Sequence, residues 1–63
     1  MPVAIVHLIK GRDDEKKRAM IAAVSEAIST TLDAPIETVR VIITEVPSTD
    51  WGIGGKTAKE RGR

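Results

Sequence analysis

Val39-Arg40-Val41-Ile42-Ile43-Thr44-Glu45-Val46 is rich in β-branched residues and stops at Pro47-Ser48-Thr49-Asp50, which is turn chemistry. It reads as a strand. Alternation puts Val39, Val41 and Ile43 on one face and Arg40, Ile42 and Thr44 on the other. Ahead of it, Asp33-Ala34-Pro35 marks the end of another element, because the residue before proline avoids the α region. That element is a helix. Asp13 is its N-cap candidate, with Asp14 and Glu15 in the first turn, where negative charge suits the helix dipole. Ile21, Val24, Ile28 and Leu32 then fall at helical spacing, with Met20, Ala23 and Ala27 beside them. Lys16, Lys17, Glu26 and Ser29 take the opposite side. A helix from about residue 13 to 32 would be ~30 Å long.

Before the helix, Pro2 to Ile9 is nearly continuous apolar sequence that ends at Lys10-Gly11. It reads as a strand buried on both faces, with Pro2 at the first position, where a missing N–H costs least. Strand, helix, strand makes a crossover, so the two strands are expected to be parallel and the connection right-handed. Trp51-Gly52-Ile53-Gly54-Gly55 is expected to form a short hairpin or an arm, and Lys56 to Arg63 a frayed basic tail. The fold class is α+β, β-α-β with a short C-terminal β-hairpin.

Two strands under one helix do not make a stable domain. The 63 residues form one domain at most, and so short a chain buries only about 60% of its unfolded surface. Disulfides, a metal or oligomerisation usually make up the deficit. There is no Cys, and His7 is the only His, which leaves no ordinary zinc set. Self-association remains, so the sheet is expected to be completed by oligomerisation. A single aromatic residue, Trp51, and a net charge of +1 argue against a nucleic-acid partner. No segment has the ~20 apolar residues of a membrane span. The start lacks the marks of a signal peptide, so a cytoplasmic location is expected.

Four residues carry candidate chemistry. Removal of Met1 would make Pro2 a secondary amine and a proton acceptor. A free α-amino group titrates near ~7.7–8.0, and neighbouring cations or an apolar surround favour its neutral form. A base poised near neutrality suits proton abstraction next to a carbonyl. Arg12 lies in the loop into the helix, and Arg40 interrupts an apolar strand. Each guanidinium fork suits a carboxylate. Asp13, Asp14, Glu37 and Glu45 offer a simpler role for either one, a structural ion pair, and taken alone that is the better reading. Trp51 is either an apolar wall that dries a site or an interface anchor. His7, mid-strand, reads as a packed and hydrogen-bonded side chain. Gly52-Ile53-Gly54-Gly55-Lys56-Thr57 is not a phosphate loop, because that pattern needs glycine where Asp50 stands and a helix to follow.

In combination, these stretches resemble the 4-oxalocrotonate tautomerase family over nearly the whole chain. The resemblance rests on Met1-Pro2 leading into a β-branched strand, Gly11-Arg12 before an acidic helix start, and Val24-Ser25-Glu26-Ala27-Ile28-Ser29. It rests also on Leu32-Asp33-Ala34-Pro35, Val39-Arg40-Val41-Ile42-Ile43-Thr44-Glu45 and Gly52-Ile53-Gly54-Gly55. It implies a tautomerase fold over residues 1–63, usually in a homohexamer built as a trimer of dimers. It implies conversion of 2-hydroxymuconate to 2-oxo-3-hexenedioate, in the catabolism of aromatic compounds, with no cofactor and no metal. The substrate class is a small unsaturated dicarboxylate or 2-oxo acid. Pro2 would be the base, and Arg12 would hold the distal carboxylate. Arg40, from a neighbouring subunit, would hold the 2-hydroxy/keto end. Trp51 stands where the family commonly has Phe. Leu8 and Thr38 match positions near the substrate, the latter often Ser. A 3-haloacrylate dehalogenase, or a non-enzymatic oligomeric binding module, are the alternatives. The first needs a carboxylate to activate water, and only Asp50 lies close to the Trp51–Gly55 stretch.

Overall fold

The structure is a computed structural model that describes all 63 residues. Strand β1 (Val3–Ile9) leads through a short loop into helix α1 (Asp14–Leu32). A 3-10 turn at Ile36–Thr38 precedes strand β2 (Arg40–Val46), and a second 3-10 turn at Ser48–Asp50 precedes strands β3 (Gly52–Ile53) and β4 (Lys56–Thr57). β1 and β2 pair in parallel, in the register Val3↔Arg40 to Ile9↔Val46. β3 and β4 pair antiparallel, joined by Gly54 at φ 59 and Gly55 at φ 86. Two successive left-handed residues give the turn whose twist matches a hairpin. The β-α-β order, the parallel pairing and the hairpin are those expected from the sequence.

α1 begins where its cap chemistry dictates. The Asp13 carboxylate accepts from the Lys16 N–H at 2.8 Å, satisfying one of the first-turn donors. It ends at Asp33, left-handed at φ 55, whose N–H donates to the Ser29 carbonyl. The Ala34 N–H reaches the same carbonyl at 3.1 Å, and the Ser29 hydroxyl donates to the Ala34 carbonyl at 2.6 Å. Five polar groups are thereby satisfied just before Pro35.

Three expectations need refinement or correction. First, one chain covers only one face of β1, and covering the second is left to the oligomer that completes the sheet. Ala4, Val6 and Leu8 are half-buried while Val3, Ile5 and His7 are exposed, because one helix covers only one side of a two-stranded sheet. Val3 is 53% exposed, Ile5 58% and Ile42 50%. His7 belongs to this open face and is exposed in the single chain. Second, the packed stripe of α1 runs through Lys17, Met20, Val24 and Ile28, with Ser25 and Ser29 also half-buried, while Ile21 and Leu32 are exposed. Lys17 and Ser29 sit on the covered side because each has a polar partner there: Glu45 of β2 for one, the Ala34 carbonyl for the other. Third, the basic tail is not frayed. The Ala58 N–H donates to the Trp51 carbonyl at 2.7 Å and the Lys59 N–H to the Ser48 carbonyl at 3.1 Å. Thr57 and Glu60 cap each other reciprocally at 3.0 and 3.1 Å, and Arg61 Nε donates to the Ile53 carbonyl at 2.9 Å.

Only Val39 and Ala58 are buried. The radius of gyration is 14.4 Å, against about 11 Å for a compact domain of this length. The accessible surface is 4727 Å2, against roughly 4000 Å2 for a folded monomer of this mass. One chain is an open, two-layered slab, 42 × 24 × 13 Å, without a core of its own. No helix is long and apolar enough to cross a membrane.

Candidate active site

Pro2, half-buried, stands just ahead of β1. Its carbonyl accepts from the Arg40 N–H at 3.0 Å, so the parallel register itself sets Arg40 beside it. Arg40 opens β2 and is exposed. Its Nη1 donates to the Glu37 carbonyl at 2.8 Å and to the Val39 carbonyl at 3.3 Å. Thr38, in the preceding 3-10 turn, directs its hydroxyl to the Pro35 carbonyl at 2.7 Å. Pro2, Thr38 and Arg40 therefore share the N-terminal end of the sheet.

Arg12 and Trp51 lie at the other end. Arg12 follows β1 in the loop around Gly11, whose φ of 146 is one that a side chain disfavours. Arg12 is exposed, and Nη1 lies 3.5 Å from the Ile9 carbonyl, the outer limit of a hydrogen bond. Trp51 is half-buried between the second 3-10 turn and β3. Leu8, half-buried, pairs with Glu45 on the helix-covered side.

The ion-pair reading of the two arginines fails. Both salt bridges of the chain belong to Lys17, with Asp14 at 3.4 Å and Glu45 at 3.0 Å. Asp13 is engaged in capping. Neither Arg12 nor Arg40 has a carboxylate partner, so each presents an uncompensated guanidinium suited to an anionic ligand. The Glu45 hydrogen bond, followed by the weaker influence of Asp14, raises the pKa of Lys17 above its ordinary 10.5.

One chain does not bring all six candidates together. β1 separates Pro2 from Arg12 by roughly 23 Å, at about 3.3 Å per residue, several times the reach of an arginine. The one concavity, about 400 Å3, lies over the first turns of α1 and is lined by Asp13, Glu15, Lys16 and Ala19. It contains none of the candidates. Three features escaped the sequence reading. Thr57-Ala58-Lys59-Glu60 is a capping-box pattern and was legible as one. The Lys17–Glu45 pair bridges distant segments and left no local signal. The carbonyl of Glu37 acts on Arg40 through backbone geometry, which side-chain identity does not report.

A family model described as tautomerase enzyme matches residues 2–61. The chain is 57% identical to a 2-hydroxymuconate tautomerase of Stutzerimonas stutzeri and 54% identical to one of Pseudomonas putida, in each case over all of both chains. Among solved structures, it superposes on a 4-oxalocrotonate tautomerase isozyme from Methylibium petroleiphilum with a TM-score of 0.95 at 50% identity, covering 98% of this chain and 100% of that one. A heterohexameric 4-oxalocrotonate tautomerase from Chloroflexus aurantiacus matches with a TM-score of 0.92 at 37% identity, covering 95% of this chain and 97% of that one. The likeness in sequence and in fold runs along nearly the whole chain, and the chain belongs to the tautomerase family.

Proposed function

We propose that this chain is an isomerase that converts 2-hydroxymuconate to 2-oxo-3-hexenedioate, with the Pro2 nitrogen as base once Met1 has been removed. Pro2 is a small residue at position 2, the context in which an initiator methionine is normally removed. The reaction neither gains nor loses protons. The 2-hydroxyl gives up its proton, the two double bonds each move one position, and C5 gains a proton. A single base that accepts and returns a proton is sufficient.

The observation that carries this reading is that Arg40, exposed and without a carboxylate partner, is free to reach into a site on a neighbouring subunit. Its guanidinium can hold the 2-hydroxy/keto end and stabilise charge that develops on the oxygen. Within that neighbouring site, the same positive charge would favour the neutral form of the Pro2 amine found there. Arg12 clamps the distal carboxylate, and Trp51, Leu8 and Thr38 contribute to the pocket. Because β1 keeps Pro2 and Arg12 apart in one chain, a complete site needs residues from more than one subunit. The exposed Val3, Ile5 and Ile42 give an apolar face for that association, and a homohexamer arranged as a trimer of dimers is the assembly we favour.

The test is turnover of the dienol followed by ultraviolet absorbance, together with the intact mass of each sample. Pro2→Ala, shown by mass to have lost Met1, is expected to lower kcat/KM by at least about 100-fold. Normal turnover by that processed variant would remove Pro2 from the mechanism. Chloride release from 3-chloroacrylate at a comparable rate would favour a dehalogenase instead.

A further inference from the structure

Thr38 closes the first 3-10 turn twice. Its N–H donates to the Pro35 carbonyl at 2.9 Å, and its hydroxyl donates to the same oxygen at 2.7 Å. The Val39 N–H adds a bond to the Ile36 carbonyl at 3.1 Å. From this turn the Glu37 carbonyl accepts from Arg40 Nη1 at 2.8 Å, and the Val39 carbonyl accepts from the same nitrogen at 3.3 Å. Backbone oxygens thereby hold one corner of the guanidinium. Its other N–H groups make no bond within the chain and form a planar fork.

We propose that Thr38 is a positioning residue for Arg40: its hydroxyl locks the 3-10 turn whose Glu37 carbonyl aims the guanidinium at the substrate. The proposal rests on the tautomerase reading of Arg40. An exposed arginine otherwise samples many rotamers, and ordering it on binding weakens affinity. A clamp fixed in advance also keeps the donors where charge develops, which acts on kcat as well as KM. The hydroxyl has one proton, and it is committed to Pro35. Thr38 therefore acts on the substrate through Arg40 and donates no hydrogen bond to it. Serine retains the hydroxyl, whereas valine keeps the β-branched shape and loses it.

The experiment compares wild type, Thr38→Val, Thr38→Ser, Arg40→Ala and the Thr38→Val/Arg40→Ala double variant on 2-hydroxymuconate, with thermal melts of each. Wild-type turnover and its loss in Arg40→Ala come first, and failure of either removes the underlying reading of Arg40. Given both, Thr38→Val is expected to lower kcat/KM roughly fivefold to tenfold, the scale of one net hydrogen bond. Thr38→Ser stays within about twofold of wild type. In the Arg40→Ala background, the valine substitution costs less than about twofold, because residues acting as one unit are not additive. A loss of the same size in that background means that Thr38 acts without Arg40, and overturns the proposal. So does a Thr38→Val enzyme equal to wild type, or a deficit that vanishes wherever the variant is fully folded. Nitrogen relaxation at Arg40 Nε gives a second readout. Thr38→Val or, if that variant folds poorly, Thr38→Ala should loosen this group while β1 and β2 stay rigid. An unchanged Nε overturns the proposal.

Discussion

Lys17 opens the packed stripe of α1, one turn before Met20. Its neighbours are Glu45 at 3.0 Å and Asp14 at 3.4 Å, and the Lys17 and Glu45 side chains are each 23% exposed. The aliphatic stem covers the sheet while the ammonium reaches its partners. The raised pKa of Lys17, caused first by the Glu45 hydrogen bond, fixes the sign of the pH dependence. A raised pKa contributes stability that is fully present below the ordinary 10.5 and is lost as pH rises through the raised value. From neutral pH to about 10 the contribution is therefore constant, and it fades only in strong alkali. Lys17→Met should retain the packing but leave Glu45 unpaired. We expect a lower denaturation midpoint than wild type at neutral pH, with the difference narrowing above the alkaline transition. Denaturant titrations at both pH values check this. At this scale the sequence was most legible where a residue's role is local. Asp13 caps the helix as its type and position suggest. Lys17 and Ser29 were misassigned to solvent because periodicity ranks side chains by polarity, and distant partners such as Glu45 are invisible to it.

The elements show the same division. β1, α1 and β2 were legible because each carries its own period and its own stop signals. The C-terminal segment was misread because a run of Lys and Arg resembles a solvated tail, although Thr57-Ala58-Lys59-Glu60 states a capping box. That box ties the hairpin to the turn that carries Trp51, through the Ala58 N–H to the Trp51 carbonyl and the Lys59 N–H to the Ser48 carbonyl. The pKa of Glu60 is lowered from its ordinary 4.5, first by the Thr57 N–H and then by the Thr57 hydroxyl. A lowered pKa contributes stability that is present above the ordinary 4.5 and is lost as pH falls through the lowered value. The terminal segment should hence loosen below about pH 4.5 while β1 and β2 hold. Trp51 is the only tryptophan, so its fluorescence isolates the event. We expect an acid-induced shift of its emission in wild type. In Glu60→Gln, which has no carboxylate to titrate, part of that shift should already be present at pH 7 and its acid dependence should flatten. Equal acid profiles in the two proteins would detach Glu60 from the Trp51 wall.

At the scale of the whole molecule, the two ends of the sheet pose the question. Pro2, Thr38 and Arg40 gather at one end and Arg12 and Trp51 at the other, with roughly 23 Å of strand between Pro2 and Arg12. The sequence identified these residues, and the length of β1 states their separation; the sequence could not show which end of a strand faces which end of a neighbour, a property of assembly. A chain with two buried residues and an exposed Val3–Ile5–Ile42 face has strong reason to associate, and isologous contacts between copies would bring opposite ends together. Complementation tests whether they do. Pro2→Ala lacks the base but retains Arg12, and Arg12→Ala retains the base but lacks the distal clamp. Each alone should turn over the dienol poorly. Unfolded together in equal amounts and refolded, they should form mixed assemblies in which about a quarter of the sites take Pro2 from one variant and Arg12 from the other. Activity should then rise well above the mean of the two separate samples. Mixing without unfolding should recover less, in proportion to subunit exchange. Were both residues supplied by the same chain, no mixed site could be intact and the refolded mixture would remain at that mean. Recovery would also order the two functional clusters in space, since only an arrangement that sets the N-terminal end of one sheet against the C-terminal end of another can complete the site.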